Sequence, residues 1–382
     1  MSVVVSPAVR RAALLFACAL LAVLLSATAT AATATQRSVG EDFDAKAFAA
    51  GKRRSYDLQH FSDRYRATLE IEDGDGVFRP GIVRVFARGN ATPLLEVASS
   101  ELVLDTDGKS GKVKANVHEL PYGEQSVLIY DDFNFDGIKD LAVMDGQNSC
   151  YHGPSYQVYL GTADGFEASP GFTELAQSNC GLFEVDAQAR KLHTMTKDGC
   201  CWHQYATYSV RGDAPLLERE VVEDARSEGP GLAQETVYRD RAGKRVADTH
   251  YLWDEQGGTT TGERRILLEF RLAPAGKRIV VFANVGDGAS SQPFYAALGA
   301  QQRVDLLYPD AQGEAMDYAA DRHVLRFARG DTTYRIVGDA HGVPQRMEVV
   351  VRGKTQALAL QPGSARGSLQ AVAQALEAAS AE

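Results

Sequence analysis

Residues 131 to 143 read Asp131-Asp132-Phe133-Asn134-Phe135-Asp136-Gly137-Ile138-Lys139-Asp140-Leu141-Ala142-Val143. From the second residue onward they fit the pattern D-x-N-x-D-G-x-x-D-L. A chain that curls around a hard cation directs side-chain oxygens at it from positions one, three and five, and a backbone carbonyl from position seven. Asp132, Asn134, Asp136 and the carbonyl of Ile138 hold these positions, so the sequence predicts a calcium loop.

The flanks of this loop distinguish it from an EF-hand. Position twelve, where an EF-hand has a bidentate glutamate, is Val143, and residues 126–130 and 141–144 have the composition of strands. We therefore expect Asp140, at position nine, to be the bidentate ligand, as in the calcium loops between strands of β-propeller proteins. Gly137 allows the sharp turn. The alternative is an Asp/Asn/Gly turn that binds no metal.

Residues 1–31 have the features of a secretory signal peptide. Arg10 and Arg11 precede an apolar run over residues 12–25 that is short for a membrane span, and small residues follow it. We expect no lipid anchor at Cys18, because residues 15–17 include a bulky side chain where a lipoprotein signal has a small one. No later segment is apolar enough to span a bilayer. The predicted location is the periplasm.

The chain is acidic, with a formal net charge of −10 that becomes −12 once the two arginines of the signal peptide are removed. Binding of nucleic acid is therefore not expected, because it requires a basic surface. An acidic surface favours a basic protein partner, or serves only to keep the protein soluble.

Four cysteines remain after the signal peptide, all within about fifty residues of one another. In an oxidising compartment an even number of cysteines predicts disulfides, and the three possible pairings stay open. The candidates are Cys150, Cys180, Cys200 and Cys201. The alternative is a zinc site, although adjacent cysteines are poorly spaced for tetrahedral ligation. It would use Cys200, Cys201, His193 and His203.

Short runs of alternating apolar residues, separated by Gly-, Asn- and Asp-rich turns, follow one another along the mature chain and predict an all-β protein. A weak strand, turn, strand repeat suggests the blades of a small β-propeller, although the calcium motif occurs once. We expect five regions in order along the chain: signal peptide 1–31, flexible lead-in 32–60, calcium-binding β-propeller-like domain 61–225, linker and strand pair 226–262, and β-sandwich-like C-terminal domain 263–382.

Motifs that carry catalysis are missing from the sequence. Ser155 lacks the second glycine of a nucleophile elbow, the histidines form no H-E-x-x-H motif, and no glycine-rich loop could cradle a phosphate. We therefore expect a protein without enzymatic activity.

The polar stretch over residues 145–156 is a candidate for binding a partner protein. It presents Tyr151, His152 and Ser155 next to Cys150, whose disulfide would hold the loop rigidly. A rigid loop with an aromatic anchor binds at a low entropic cost. The alternative is that Tyr151 merely covers the disulfide.

Residues 120–210 resemble a family of periplasmic immunity proteins that protect bacteria from peptidoglycan-degrading effectors of type IV secretion systems. The resemblance lies in D-D-F-N-F-D-G-I-K-D-L-A-V at 131–143, G-P-S-Y-Q-V-Y-L at 153–160 and D-G-C-C-W-H-Q-Y-A-T-Y at 198–208. This family is related to the inhibitors of I-type lysozymes. The resemblance does not extend to the C-terminal half, from about residue 262.

The resemblance implies a small β-propeller with one structural Ca²⁺, bound by Asp132, Asn134, Asp136, Ile138 and Asp140. It implies no catalytic activity, and inhibition of a lysozyme-like peptidoglycan hydrolase by a tyrosine-bearing loop that enters its cleft, here the loop of Tyr151. Two other hypotheses remain: a non-catalytic cell-envelope protein that binds glycan or another envelope component, and a hydrolase.

Overall fold

The computed structural model describes residues 35–59, 61–106, 111–119, 124–224, 230–254, 263–285, 292–310 and 315–381. The predicted signal peptide and Cys18 lie outside these residues. None of the helices in the described part is long and apolar enough to cross a membrane.

The first sheet is five-stranded, with the order β1-β5-β4-β3-β2. The residue pattern of β3 explains why this sheet forms. From Tyr65 to Glu72 buried side chains alternate strictly with partly exposed ones, so one face of the strand packs in the core. The elements are β1 (Gln36–Val39), helix α1 (Ala45–Ala50), β2 (Arg53–Asp57), β3 (Tyr65–Glu72), β4 (Phe78–Ala87) and β5 (Leu95–Val103). Residues 32–60 were predicted to be a flexible lead-in, but their described part contributes two strands and a helix.

The second sheet is four-stranded and antiparallel, with the order β6-β7-β8-β9. Its strands are β6 (Leu128–Asp131), β7 (Asp140–Ser149), β8 (Gly153–Gly161) and β9 (Phe166–Ala168), followed by helix α2 (Pro170–Ser178). Strand β7 is buried along nearly its whole length, because it contacts both β5 of the first sheet and α2. One apolar cluster, which runs from Leu58 to Leu192 along the chain, joins the two sheets and α2.

The next strands belong to an eleven-stranded sheet with the order β10-β11-β12-β13-β14-β15-β19-β18-β17-β16-β25. They are β10 (Glu184–Asp186), β11 (Lys191–Asp198), β12 (Trp202–Arg211), β13 (Ala214–Asp224), β14 (Gln234–Arg241), β15 (Lys244–Leu252), β16 (Glu263–Arg271), β17 (Arg278–Val285), β18 (Phe294–Leu298) and β19 (Arg303–Tyr308). Strands β15 and β19 pair only at Tyr251 with Val304 and Leu252 with Arg303.

A final five-stranded antiparallel meander consists of β20 (Asp317–Ala319), β21 (Val324–Arg329), β22 (Thr332–Gly338), β23 (Pro344–Val351) and β24 (Lys354–Ala359), before β25 (Arg366–Gly367) and helix α3 (Leu369–Ala381). Strand β17 is buried on both faces. Its residues Ile279, Val281 and Ala283 join a cluster that includes this meander and α3, whereas Val280 and Phe282 join a separate cluster around Trp253.

Strand accounts for 56% and helix for 11% of the structure, which confirms the all-β prediction. Among the described residues no sheet closes on itself, so the propeller arrangement is not confirmed. The predicted domain boundaries stay predictions.

Candidate functional site

The predicted calcium loop connects β6 to β7 and is anchored by two aromatic side chains. Phe133 is fully buried against Phe183, with the ring centroids 5.3 Å apart, and Phe135 is also buried. Phe135 and Gly137 both have positive φ angles, 62° and 91°. Of the alternating polar residues, Asp136 is exposed and Asp132 is partly exposed, whereas Asn134, between the two phenylalanines, is buried.

Asp140 is completely buried at the start of β7 and binds three backbone amides. Its Oδ2 accepts hydrogen bonds from the N–H groups of Phe133 (2.6 Å) and Asn134 (3.3 Å), and its Oδ1 accepts one from Gly161 (2.7 Å). Burial raises the pKa of this carboxyl to about 6, although the three amides oppose the shift and the charge of Asp132 adds to it. Asp140, at the start of β7, thus joins the loop to β8.

The other loop oxygens bind amides of the same loop. Asp132 accepts hydrogen bonds from the N–H groups of Asp136 (3.1 Å) and Gly137 (2.9 Å). Asn134 Oδ1 also accepts from the N–H of Asp136 (3.2 Å), and Asp136 Oδ1 accepts from the N–H of Ile138 (2.7 Å). The structure therefore brings the predicted side-chain ligands together in one compact turn.

Asp213, which the loop motif does not contain, also reaches this site. The Nδ2 of Asn134 donates hydrogen bonds to Oδ2 of Asp136 at 3.1 Å and to Oδ1 of Asp213 at 3.2 Å. Asp213 lies in the turn between β12 and β13. The Gly212-Asp213 pair marks that turn in the sequence, but no local signal places it beside a loop some eighty residues earlier.

The donor set of this loop fits a hard cation, since it consists of carboxylate, amide and carbonyl oxygens. Asp140 fits least well as a bidentate ligand, because three amide hydrogen bonds already use most of the roughly four acceptor positions of a carboxylate. Among the described residues, no three His, Cys, Asp or Glu side chains form a metal-binding group by themselves. A site here would therefore depend on Asn134 and the carbonyl of Ile138 as well.

Because Gly161 has no Cβ, β8 can pass directly over the loop, and a larger residue at this position should destabilise the protein. A Cβ at this position would lie 2.4 Å from the carbonyl oxygen of Lys139 and 2.8 Å from Ile138 Cγ2. We expect Gly161→Ala to lower the free energy of unfolding by about 1–3 kcal/mol, as overpacking does. The control is Gly165→Ala in the β8–β9 turn, where a Cβ would have no neighbour within 4 Å. Equal urea midpoints for the two variants would contradict the expectation.

Tyr151 and His152 form an exposed tip between β7 and β8. Both have positive φ angles, 55° and 58°, and the side chain of Tyr151 is among the most exposed large hydrophobic groups, at 60%. The hydroxyl of Tyr151 accepts a hydrogen bond from the N–H of Gly199, and Lys197 Nζ lies 4.7 Å from the centroid of its ring. The tip is therefore held in place although it is exposed.

His152 is held from the other side of the tip. Its ring lies edge-on to Phe78, with centroids 5.1 Å apart, and its Nε2 is 3.6 Å from Glu101 Oε1. Val77 and Phe78 are also exposed, at 69% and 40%. We call the surface formed by Val77, Phe78, Tyr151, His152 and the turn over residues 197–201 the tip surface.

Ser155 does not belong to the tip surface, although it was predicted to contact a partner. It is fully buried, because β7 continues to Ser149 and β8 begins at Gly153, so Ser155 lies within the sheet. Its hydroxyl donates to Oδ1 of Asp145 at 2.6 Å and accepts from the N–H of Asn148 at 3.2 Å. We expect it to support the tip from below.

The buried carboxylate of Asp145 is bound by neutral donors. Its Oδ2 accepts hydrogen bonds from Gln157 Nε2 (2.8 Å) and Gln177 Nε2 (2.6 Å), in addition to that from Ser155. Gln177 belongs to α2, so this carboxylate fixes the helix against the two strands that lead to the tip.

All four cysteines among the described residues form disulfides, Cys150 with Cys180 and Cys200 with Cys201. The first disulfide ties the base of the tip to the segment after α2. The second lies within the turn before β12 that contacts Tyr151. Because both cysteines of the zinc alternative are joined to each other, they are not available as thiolate ligands.

The two disulfides should differ in their effect on stability. A disulfide stabilises mainly by restricting the unfolded chain, more so for a longer loop. Cys150–Cys180 spans 30 residues and Cys200–Cys201 spans one. We expect Cys150→Ser with Cys180→Ser to lower the free energy of unfolding by about 2–3 kcal/mol, and Cys200→Ser with Cys201→Ser by less than about 1 kcal/mol. Denaturant unfolding checks this, and the reverse order would contradict it.

The loop and the tip lie at opposite ends of β7. The strand has ten residues, so its ends are roughly 30 Å apart. Strand β12 links the same two ends, because the turn before it contacts Tyr151 and the turn after it brings Asp213 to Asn134. The predicted ligands and the predicted anchor thus form two separate sites on one scaffold.

No family model and no curated protein matches the chain. Among solved structures, one titled "Structure of a Xanthomonas Type IV Secretion System related protein" aligns with 51% of this chain and 92% of its own, at 22% identity and a TM-score of 0.39. A putative 6-phosphogluconolactonase from Bacteroides uniformis aligns with 82% of this chain and 85% of its own, at 9% identity and a TM-score of 0.19. Likenesses at this level carry no argument about function.

Proposed function

We propose that this protein is an exported, non-catalytic inhibitor of a lysozyme-like peptidoglycan hydrolase and that it acts by placing the tip surface in the cleft of the enzyme. The observation that carries the proposal is the conformation of Tyr151. Its side chain is exposed, yet its hydroxyl is bound by the N–H of Gly199 and its ring lies against Lys197. An aromatic anchor of this kind is typical of interaction hot spots.

The tip is organised before it meets a partner. Two adjacent non-glycine residues with positive φ are unfavourable in a free loop, and they persist only where the surroundings enforce them. Here Cys150–Cys180, Gly199, Phe78 and Glu101 provide that support. Because the ordering takes place during folding, association loses less conformational entropy.

The charges suit a hydrolase that is basic overall and has acidic groups in its cleft. The formal net charge, −12 without the two arginines of the predicted signal peptide, would steer a basic enzyme towards this protein. Lys197 and His152 are the basic side chains at the tip, and glycoside hydrolases generally work through a pair of carboxylates. The tip would therefore place the ammonium group of Lys197 where the enzyme has its catalytic acids.

In this proposal Ca²⁺ has a structural role. Asp132, Asn134, Asp136 and the carbonyl of Ile138 would hold it, with an oxygen of Asp140 and with Asp213 nearby. The ion would supply positive charge to a cluster of carboxylates that otherwise repel one another. Since the ligands come from residues spread over the whole β6–β7 loop, which must fold to bring them together, its binding energy would contribute to folding.

The predicted signal peptide supports a periplasmic location, and the two disulfides fit an oxidising compartment. The hydrolase to test first is one encoded beside this gene. We expect equimolar protein to abolish its lysis of purified peptidoglycan, measured as loss of turbidity, while the inhibitor alone leaves the turbidity constant. Unchanged lysis at a tenfold excess would refute the proposal for that enzyme, and lysis by the protein itself would refute the non-catalytic assignment.

A further inference from the structure

A groove of about 1180 Å³ lies in the second half of the chain, far along the sequence from the tip surface. Its floor is a row of cross-strand neighbours on four adjacent strands. Val222 of β13 pairs with Gln234 of β14, Gln234 with Tyr251 of β15, and Tyr251 with Val304 of β19. Paired residues share one face of a sheet, so the floor crosses the strands over three spacings, about 14 Å in all.

The walls of the groove carry hydrogen-bonding groups whose charges are neutralised. Arg303 Nη2 lies 3.1 Å from Asp248 Oδ1, and Arg329 Nε lies 3.6 Å from Asp310 Oδ2. Asp305 is in turn 2.8 Å from Lys277 Nζ. With each of these cations paired to a carboxylate, the groove has little to offer a phosphate or another anion.

We infer that this groove binds an uncharged oligosaccharide. The floor offers the flat ring of Tyr251, with apolar Val304 on one side of it and Gln234 on the other, which suits the apolar face of a sugar ring, and the amides of Gln234 and Gln301 suit hydroxyl groups. The length of the floor accommodates several linked rings. An extended peptide fits less well, because peptides pair with a free strand edge, whereas this floor runs across strands that are already paired.

Calorimetric titration of the full chain with chitotetraose and cellotetraose tests this inference. We expect at least one of these neutral tetrasaccharides to bind, and Gln234→Ala combined with Gln301→Ala to weaken that binding by at least about tenfold, since two hydrogen bonds are lost. The matched control is Gln345→Ala, an exposed glutamine on β23 outside the groove lining, which should bind as the unmodified protein does. Melting temperatures of the three proteins verify folding.

Failure of both tetrasaccharides to bind would overturn the inference, as would binding that the double variant leaves unchanged. Tighter binding of glucose 6-phosphate or of an alanine-rich peptide would assign the groove to another class of ligand. The experiment contains no hydrolase, so its outcome is independent of the proposed inhibition.

Discussion

Asp140→Ala is expected to lower the free energy of unfolding by about 3–5 kcal/mol, because it leaves three enclosed backbone N–H groups without an acceptor. Two of these amides belong to the loop and the third belongs to β8. No other described side chain accepts hydrogen bonds from all three. Unfolding by urea with a chelator present measures this effect apart from any bound metal.

Asp131→Ala is the matched control for this substitution. Asp131 is the cross-strand partner of Asp140 in the same hairpin, but its side chain is about half exposed. Its Oδ1 lies 3.5 Å from Nζ of the exposed Lys139. Loss of an exposed ion pair changes stability by about 1 kcal/mol or less. Similar losses for the two variants would show that Asp140 does not join the loop to β8 in the way its hydrogen bonds indicate.

Tyr151→Ala is expected to weaken inhibition of the hydrolase by about 30-fold to 1000-fold, which corresponds to 2–4 kcal/mol for a central aromatic anchor. Folding should be nearly unaffected, because the side chain is largely exposed. Tyr151→Phe separates the contribution of the aromatic ring to inhibition from that of the hydroxyl. It keeps the ring beneath Lys197 but removes the hydroxyl that binds Gly199, so we expect a smaller loss.

Tyr238→Ala serves as the control for Tyr151→Ala, since Tyr238 also has a cation, Arg245, 5.6 Å from its ring but lies on β14. Inhibition constants from the turbidity assay should distinguish the two alanine variants clearly. If Tyr151→Ala inhibits as well as the unmodified protein while its melting temperature is unchanged, the tip surface is not the contact with the enzyme.

The local features of the predicted calcium loop could be predicted from the sequence, because they depend on the spacing of a few residues. The position of the loop, the glycine of its turn and the strands on either side of it all follow from the pattern around residues 131–143. The contribution of Asp213 could not be predicted, since it depends on how a later hairpin packs against the loop. The same holds for the contact of Gly199 with Tyr151, which requires the turn before β12 to lie beside the tip.

Two parts of the fold were assigned wrongly from the sequence, helix α2 and the polar segment over residues 145–156. Helix α2 was not predicted, although Pro170 at its first position and Phe172, Leu175 and Ala176 on its buried face are typical helix signals. The polar character of residues 145–156 suggested a surface loop. In the structure most of these residues extend β7 and β8, where Asp145 and Ser155 satisfy each other below the surface.

In the C-terminal half, too, the local elements could be predicted but their packing could not. Alternating apolar residues predicted its strands, but the order of the eleven-stranded sheet depends on contacts as small as the two residue pairs between β15 and β19. The groove lies at this junction, so no motif in the sequence indicates it. The individual strands could therefore be predicted from the sequence, but the way in which they pair could not.

The central claim is that a divalent ion completes the loop from Asp132 to Asp140, and calorimetric titration of Ca²⁺ into the chelator-treated full chain tests it most directly. We predict one site, with a melting temperature that rises as the site fills, since saturation at a hundredfold excess over Kd adds about 2.7 kcal/mol of stability. Asp136→Ala should remove both the heat of binding and the rise. Absence of binding heat, together with identical melting curves with and without Ca²⁺, would contradict the claim.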